Sequence, residues 1–318
     1  MRVTVLAGGI GGARFLRGVR HALPDARIRA VVNTGDDITL WGLRICPDLD
    51  SVMYTLGSAT DEQRGWGRAE ESWRVKDELA AYGAEPTWFG LGDLDLATHL
   101  VRTQMLDGGY SLTDVTAALC RRWQPGVELL PMTDHRCETH VVVELDGARR
   151  AIHFQQWWIR HRAQLPAQAF VQVGLDDAKA SPAALAAIAD ADVVLIAPSN
   201  PVVSIGTILG LPELRAAVHD TAAPVVGYSP IIGRAPVRGM ADACLPALGI
   251  EVSAEGVGRH YGARGERADG VLDAWLIHHS DTATVPGARV RAVPLYMRDP
   301  QSTATMVRDG LATVGIDT

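Results

Sequence analysis

Apolar residues along this chain fall into short unbroken runs, separated by segments in which they recur every three or four positions. The runs at 3–6, 29–33, 127–130, 193–197, 224–229, 271–278 and 290–295 predict strands. Two more, at 139–144 and 150–154, flank Asp146-Gly147, the strongest hairpin signal in the sequence. Helical spacing links Phe15, Leu16, Val19, Ala22 and Leu23, and again Leu96, Ala97, Leu100, Val101 and Met105. Ser111-Leu-Thr-Asp114 is a capping-box-like start for a helix reaching about 123. An alanine-rich helix covers 182–189, and a last one covers 302–312.

Strands alternating with helices through both ends imply an α/β fold, with a doubly wound, mostly parallel, Rossmann-like sheet. The stretch 57–125 has helices and little strand, and reads as a helical insertion. The region near 138–165 reads as a β-hairpin excursion from the same sheet. A single domain over 1–318, without repeats or low-complexity tracts, accounts for the whole pattern.

Charge and composition narrow the function classes. Apolar content of 47% and charged content of 21% are ordinary for a globular protein, and a net charge of −7 argues against a nucleic-acid or membrane-surface binder. An anionic ligand must then be held by local arginines, backbone amides or a metal ion. The longest apolar stretch, 193–211, is interrupted by Pro198, Ser199, Asn200 and Pro201, so it predicts no membrane span. The N-terminal apolar run is too short for a signal segment, and Cys46, Cys120, Cys137 and Cys244 form no C-x-x-C pair. Both features predict a cytoplasmic protein with reduced thiols.

The candidate chemistry clusters where strands end. Gly8, Gly9, Gly11 and Gly12 follow the first strand and open a helix, an arrangement whose bare N–H groups suit a phosphate. The dinucleotide fingerprint is incomplete, because Arg14 stands where its third glycine belongs, and no P-loop Lys follows. The second strand leads into Asn33-Thr34-Gly35-Asp36-Asp37, and Cys46-Pro47-Asp48-Leu49-Asp50-Ser51 comes soon after. Carboxylates beside a phosphate site need a cation between them, and Mg²⁺ is the natural one. Asp37 and Asp50 are the first candidates as ligands, ahead of Asp36 and Asp48, which also suit turn or N-cap roles.

Three further segments extend the candidate site. Gly90-Leu-Gly-Asp93-Leu-Asp95 precedes a helix on which His99 and Arg102 share a face; His99 is open to a packed, surface or catalytic role, and Arg102 to an anion or substrate contact or a solvated surface role. Ser199, Asn200 and Ser204 lie in a polar loop after the 193–197 strand, and Ser229 in another after the next strand. Their hydroxyl, amide and backbone N–H groups suit a phosphate, ribose or base edge. Trp66, Trp73, Trp88, Trp157 and Trp158 either pack in a core or interface, or take a flat aromatic substrate.

Together these motifs carry a resemblance. The strings V-L-A-G-G-I-G-G-A-R-F-L (5–16), V-V-N-T-G-D-D (31–37), C-P-D-L-D (46–50), R-G-W-G (64–67), L-G-D-x-D-L-A-T-H (91–99), H-F-Q-x-W-W (153–158), A-P-S-N-P-V-V-S-I-G (197–206) and G-Y-S-P-I-I-G (227–233) run through essentially the whole chain. In this order they resemble the actinobacterial phosphoenolpyruvate transferases of coenzyme F-420 biosynthesis, whose archaeal counterparts are 2-phospho-L-lactate transferases. The resemblance implies a cytoplasmic, Mg²⁺-dependent homodimer. Its acceptor would be 7,8-didemethyl-8-hydroxy-5-deazariboflavin (Fo), and its donor enolpyruvyl-diphospho-5′-guanosine or the phospholactyl equivalent. The products would be GMP and dehydro-F-420-0 or F-420-0.

Roles follow from the same resemblance. Gly8, Gly9, Gly11, Gly12, Ser199, Asn200, Ser204 and Ser229 would hold the guanosine diphosphate half. Asp37 and Asp50 would ligate the metal, with Asp48 and Arg14 completing the catalytic set. Asp50, Gly90, Asp93, His99 and Arg102 would border Fo. Asp36 or Asp48 could accept the hydroxyl proton, and no residue is singled out as a required base. Leu94 departs from the Arg of relatives, so a charge contact there is not carried over. A sugar-nucleotide pyrophosphorylase shares the glycine loop but carries a Lys close behind it, whereas Lys occurs here only at 76 and 179. An NAD-binding module requires the fingerprint that is missing. No residue separates phosphoenolpyruvate from phospholactate; the actinobacterial motifs favour phosphoenolpyruvate.

Overall fold

A computed structural model describes residues 1–317. Seven strands form the central sheet: β1 (Arg2–Ala7), β2 (Arg27–Val32), β3 (Glu128–Pro131), β4 (Val193–Ile196), β5 (Val225–Tyr228), β6 (Ala274–His278) and β7 (Arg289–Val293). Their spatial order is 3-2-1-4-5-6-7, and every pairing is parallel. The sheet is therefore wholly parallel, not mostly so. The order matches the doubly wound Rossmann arrangement, which reverses between β1 and β4.

Strand sequence explains why the sheet lies inside. Val193 and Leu195 of β4 pack with Phe15 and Leu16, while Val194 and Ile196 enter the core containing Ile205 and Leu214. Alternate side chains of one strand thus feed cores on opposite faces, as the pleat requires. The helix α1 (Gly9–Ala22) covers one face, together with α2 (Pro47–Leu56) and the C-terminal helix Pro300–Thr313. Gly18 lets α1 approach Thr303 of that last helix closely.

The stretch 57–125 holds α3 (Arg74–Ala81), α4 (Asp93–Asp107) and α5 (Leu112–Trp123), with an irregular segment ahead of them. Ser111 caps α5, its hydroxyl accepting from Asp114 N at 3.0 Å. A small hairpin, Ile38–Leu40 with Leu43–Ile45, joins this region to the sheet through a core of its own, including Ile38, Ile45, Phe89 and Leu96. That hairpin is too short to register in the apolar pattern. The hairpin at Asp146-Gly147 pairs Glu138–Leu145 with Ala148–His153, and both turn residues have positive φ, 53° and 71°. A third strand, Ala169–Val173, pairs on the other side of Glu138–Leu145, which the sequence pattern did not indicate.

Candidate active site

The crevice at the β1/β4 reversal opens into a cavity of about 790 Å³. One end is polar, formed by the glycine loop after β1, Asp36 after β2, Asp48 on α2 and the 198–204 loop after β4. The other end is aromatic, with Tyr54, Trp66, Trp73, Trp88 and Phe89 on its walls. Asp50 lines it too, on the helix that also carries Asp48.

The glycines of the first loop do two different jobs. Gly9 has φ +61°, a conformation that disfavours a side chain. At Gly8 a Cβ would stand 2.6 Å from Ser204 Cβ and 2.7 Å from Asp48 Oδ2, so its bareness lets three segments meet. Gly11 and Gly12 serve close packing: added Cβ atoms would lie 3.3 Å from Pro198 O and 2.9 Å from Ser199 Oγ. Ser199 stitches the two loops, accepting from Gly8 N at 3.1 Å and donating to Gly8 O at 2.7 Å. Gly8, Gly9 and Gly11 line the cavity; Gly12 is buried behind them.

Asp36 and Asp48 are the two carboxylates that reach the polar end, each 5% exposed. Asn33 holds Asp48 in place, its Nδ2 donating to Oδ2 at 2.9 Å and to Val203 O at 3.2 Å. Burial pushes the Asp48 carboxyl up to about 7 against the opposing hydrogen bond from Asn33. Burial, and then the charge of Asp48, push Asp36 well above the carboxylate range. Asp36 Oδ1 is buried and has no hydrogen-bond partner among the described residues. Asn33 appeared in the sequence only as part of a motif; its link to Asp48 runs from the end of β2 to the first turn of α2, 15 residues on, and leaves no local signal.

Asp37 is placed differently. It is fully buried and absent from the cavity wall, and its Oδ2 accepts from Arg44 at 2.9 Å and from the Cys46 thiol at 3.0 Å. Burial raises its carboxyl to about 6 despite the Arg44 charge. The structure therefore does not bring Asp37 and Asp50 together as an open pair of ligands. Each already faces an arginine, Arg44 in one case and Arg102 in the other.

Arg102 is completely enclosed, and both of its Nη atoms engage Asp50, Nη1 at 3.1 Å from Oδ2. Its Nη1 also donates to His99 Nδ1 at 2.9 Å. Nδ1 therefore accepts, and Nε2 faces Asp95 Oδ2 at 3.4 Å. Tyr54 donates to Asp95 Oδ1 at 2.6 Å. Burial raises the Asp95 carboxyl, but the neighbouring His99 ring and the Tyr54 hydroxyl outweigh it and hold it below its ordinary value. Arg102, His99 and Asp95 thus form a fixed underlay for Asp50. His99 touches the cavity, whereas Arg102 acts from behind.

Several other candidates lie off the cavity. Arg14 faces a separate hollow with Arg17, Glu62 and Arg298, because α1 turns it away from the glycine loop. Asp93 accepts from Ser72 Oγ, Arg74 N and Val75 N, so it caps the start of α3. Ser229 is buried, with its hydroxyl on Ile231 O. Trp157 is a core residue, its Nε1 bonded to Leu165 O at 2.7 Å, while its neighbour Trp158 lines the cavity. Gly90, Asn200 and Ser204 do line it. Gly90 packs under the Trp66 ring, where a Cβ would meet the indole at 3.2 Å.

Comparison with known proteins agrees with this fold. A solved structure of a Bacillus halodurans protein of the UPF0052 family superposes with a TM-score of 0.64 at 16% identity, covering 98% of this chain and 99% of that one. Curated relatives are closer. A phosphoenolpyruvate transferase of Nocardia farcinica is 60% identical, spanning 99% of this chain and 95% of its own. Those of Mycobacterium avium and Mycobacterium tuberculosis are 57% and 56% identical, with 99% of both chains covered in each case. The family model described as 2-phospho-L-lactate transferase CofD matches residues 3–302. Spanning the sheet and every wall of the cavity, that match settles the assignment: this chain belongs to the CofD family of 2-phospho-L-lactate transferases.

Proposed function

We propose that this chain transfers the phosphoenolpyruvyl group of enolpyruvyl-diphospho-5′-guanosine to the terminal ribityl hydroxyl of Fo, in coenzyme F-420 biosynthesis. The observation that carries this reading is one continuous cavity with a phosphate-suited polar end and a tryptophan-walled aromatic end. A nucleoside diphosphate needs the first, and a flat deazaflavin needs the second. The phosphoenolpyruvate transferases named among the relatives support the choice of transferred group.

In this reaction the ribityl oxygen attacks the phosphorus distal to guanosine. The bond to the bridging oxygen breaks, GMP leaves with its electron pair, and the hydroxyl proton is released to the surrounding carboxylates or water. The protein mainly positions the partners and balances charge. Gly8 and Gly9 offer backbone to the diphosphate, and Ser199, Asn200 and Ser204 border it. Asp50, fixed by Arg102, lies on the wall shared by the two ends, where it can accept a hydrogen bond from the ribityl hydroxyl and orient it.

Asp36 and Asp48 fit a divalent cation better than Asp37 and Asp50 do. They are buried, face the cavity, repel one another and are not matched by an arginine. Asp36 Oδ1 and Asp37 Oδ1 are both unpartnered among the described residues, but only Asp36 lines the cavity. No group of three or more His, Cys, Asp or Glu side chains converges among the described residues. Mg²⁺ commonly takes one or two carboxylates and completes its shell with water and phosphate oxygens. Bound there, Mg²⁺ would neutralise charge developing on the diphosphate.

Calorimetric titration tests the shared cavity. GDP with Mg²⁺ and Fo should bind at the same time, each leaving room for the other. Mutual exclusion would contradict the two-ended arrangement.

A further inference from the structure

The donor in the proposed reaction carries a third anionic group, the carboxylate of its three-carbon unit, which neither the glycine loop nor a cation on Asp36 and Asp48 accounts for. Four carboxylates line the cavity, Asp36, Asp48, Asp50 and Asp95, and only Lys76 and Arg238 bring a permanent positive charge among the described residues. Lys76 belongs to the aromatic end, with Nζ 5.7 Å from the Trp73 ring centre. Arg238 sits elsewhere. Its segment is anchored to the polar end, where Cys244 Sγ meets Asn200 Nδ2 at 3.6 Å. Across the cavity its Nη1 is 3.5 Å from the Cβ position of Gly65, next to Trp66 of the aromatic wall.

Arg238 therefore spans the junction at which the transferred group must lie between the diphosphate and Fo. It is exposed and lines the cavity, and no ion pair or hydrogen bond to another described residue engages it. Burial, and then the like charge of Arg238, depress the Arg14 guanidinium. A free guanidinium is a strong planar receptor for a carboxylate, which it can hold through two parallel N–H donors.

We propose that Arg238 binds the carboxylate of the donor's three-carbon unit and so distinguishes the diester donor from plain guanosine nucleotides. The inference rests on the transfer reaction proposed above. Arg238 needs no change of partner on folding, so Arg238→Ala and Arg238→Lys should melt like the parent.

Steady-state kinetics of the full chain with Fo, Mg²⁺ and synthetic diester donor test it, with GDP as competitive inhibitor. Arg238→Ala should raise the donor KM at least tenfold while the GDP inhibition constant and the Fo KM stay within twofold of the parent. Arg238→Lys should fall between the two. A donor KM unchanged within threefold would overturn the proposal, as would an equal rise in the GDP constant, which would place Arg238 on the diphosphate. Absence of transfer by the parent chain would instead overturn the reaction itself, so the two failures are distinguishable.

Discussion

Arg102 and Asp50 form an ion pair whose side chains are 2% and 7% exposed, with Asp50 on the cavity wall and Arg102 behind it. Removing one partner of such a pair leaves a buried charge uncompensated and costs about 3–5 kcal/mol. Arg102→Ala is therefore expected to lower the melting temperature markedly as well as activity. Asp50→Asn keeps the shape and should lose at least tenfold in kcat with a smaller loss of stability. Paired thermal melts and kinetics check this; an Arg102→Ala protein as stable as the parent would show that the pair is dispensable.

Metal binding is expected to depend on pH through Asp36 and Asp48. Both carboxyls are raised in the folded protein, Asp48 to about 7. Their contribution to folding without metal is full below about pH 4, the unfolded value, and is lost as pH rises through about 7. A cation that binds the ionised pair offsets that loss and releases protons. The rise in melting temperature on adding Mg²⁺ should thus be larger at pH 8 than at pH 6. Calorimetry in buffers of different ionisation enthalpy should detect the released protons. An equal shift at both pH values, or the same shift in Asp36→Asn, would remove the cation from this pair.

Gly8 is the tightest point of the glycine loop with respect to the chemistry. A methyl there meets Asp48 Oδ2 at 2.7 Å and Ser204 Cβ at 2.6 Å, so the loop or the carboxylate must move. Displacement of about 1 Å can cost a hundredfold in rate. Gly8→Ala should lose activity on that scale, whereas Gly42→Ala, with open space around it but φ +78°, should cost only stability. Equal kinetics for the two variants would contradict this assignment.

Core and cavity tryptophans are expected to behave in opposite ways. Trp157 is in the core, and Trp157→Ala should destabilise the fold by about 3–5 kcal/mol. Trp66 and Trp73 line the aromatic end, and loss of one stacking partner costs about 1–3 kcal/mol. Their Ala variants should raise the Fo KM without a matching change in the donor KM. A donor KM that rises in parallel would mean that the aromatic end is not the deazaflavin site.

These contrasts also mark how much of the molecule was legible in the sequence. The strand into Gly8 and Gly9, the helix behind them and the Asp146-Gly147 turn are set by neighbouring residues, and all appear where the pattern puts them. The helical spacing of His99 and Arg102 correctly gives one face. It says nothing of Asp50, 52 residues away, which that face meets. Asp36 and Asp37 differ by one position in the turn between β2 and the Ile38–Leu40 strand, and that step decides between cavity and interior. Trp157 and Trp158 pose the same problem. Arg14 reads as part of the glycine loop by sequence proximity, but α1 rotates it to another surface. What stayed hidden was direction and long-range pairing, which adjacent residues do not encode.

Mass spectrometry of the product formed from Fo and enolpyruvyl-diphospho-5′-guanosine tests the central claim most directly. The account predicts a product whose mass is that of Fo plus the phosphoenolpyruvyl group, released in equal amount with GMP. Unchanged Fo alongside GMP, or Fo carrying a guanylyl group, would contradict it.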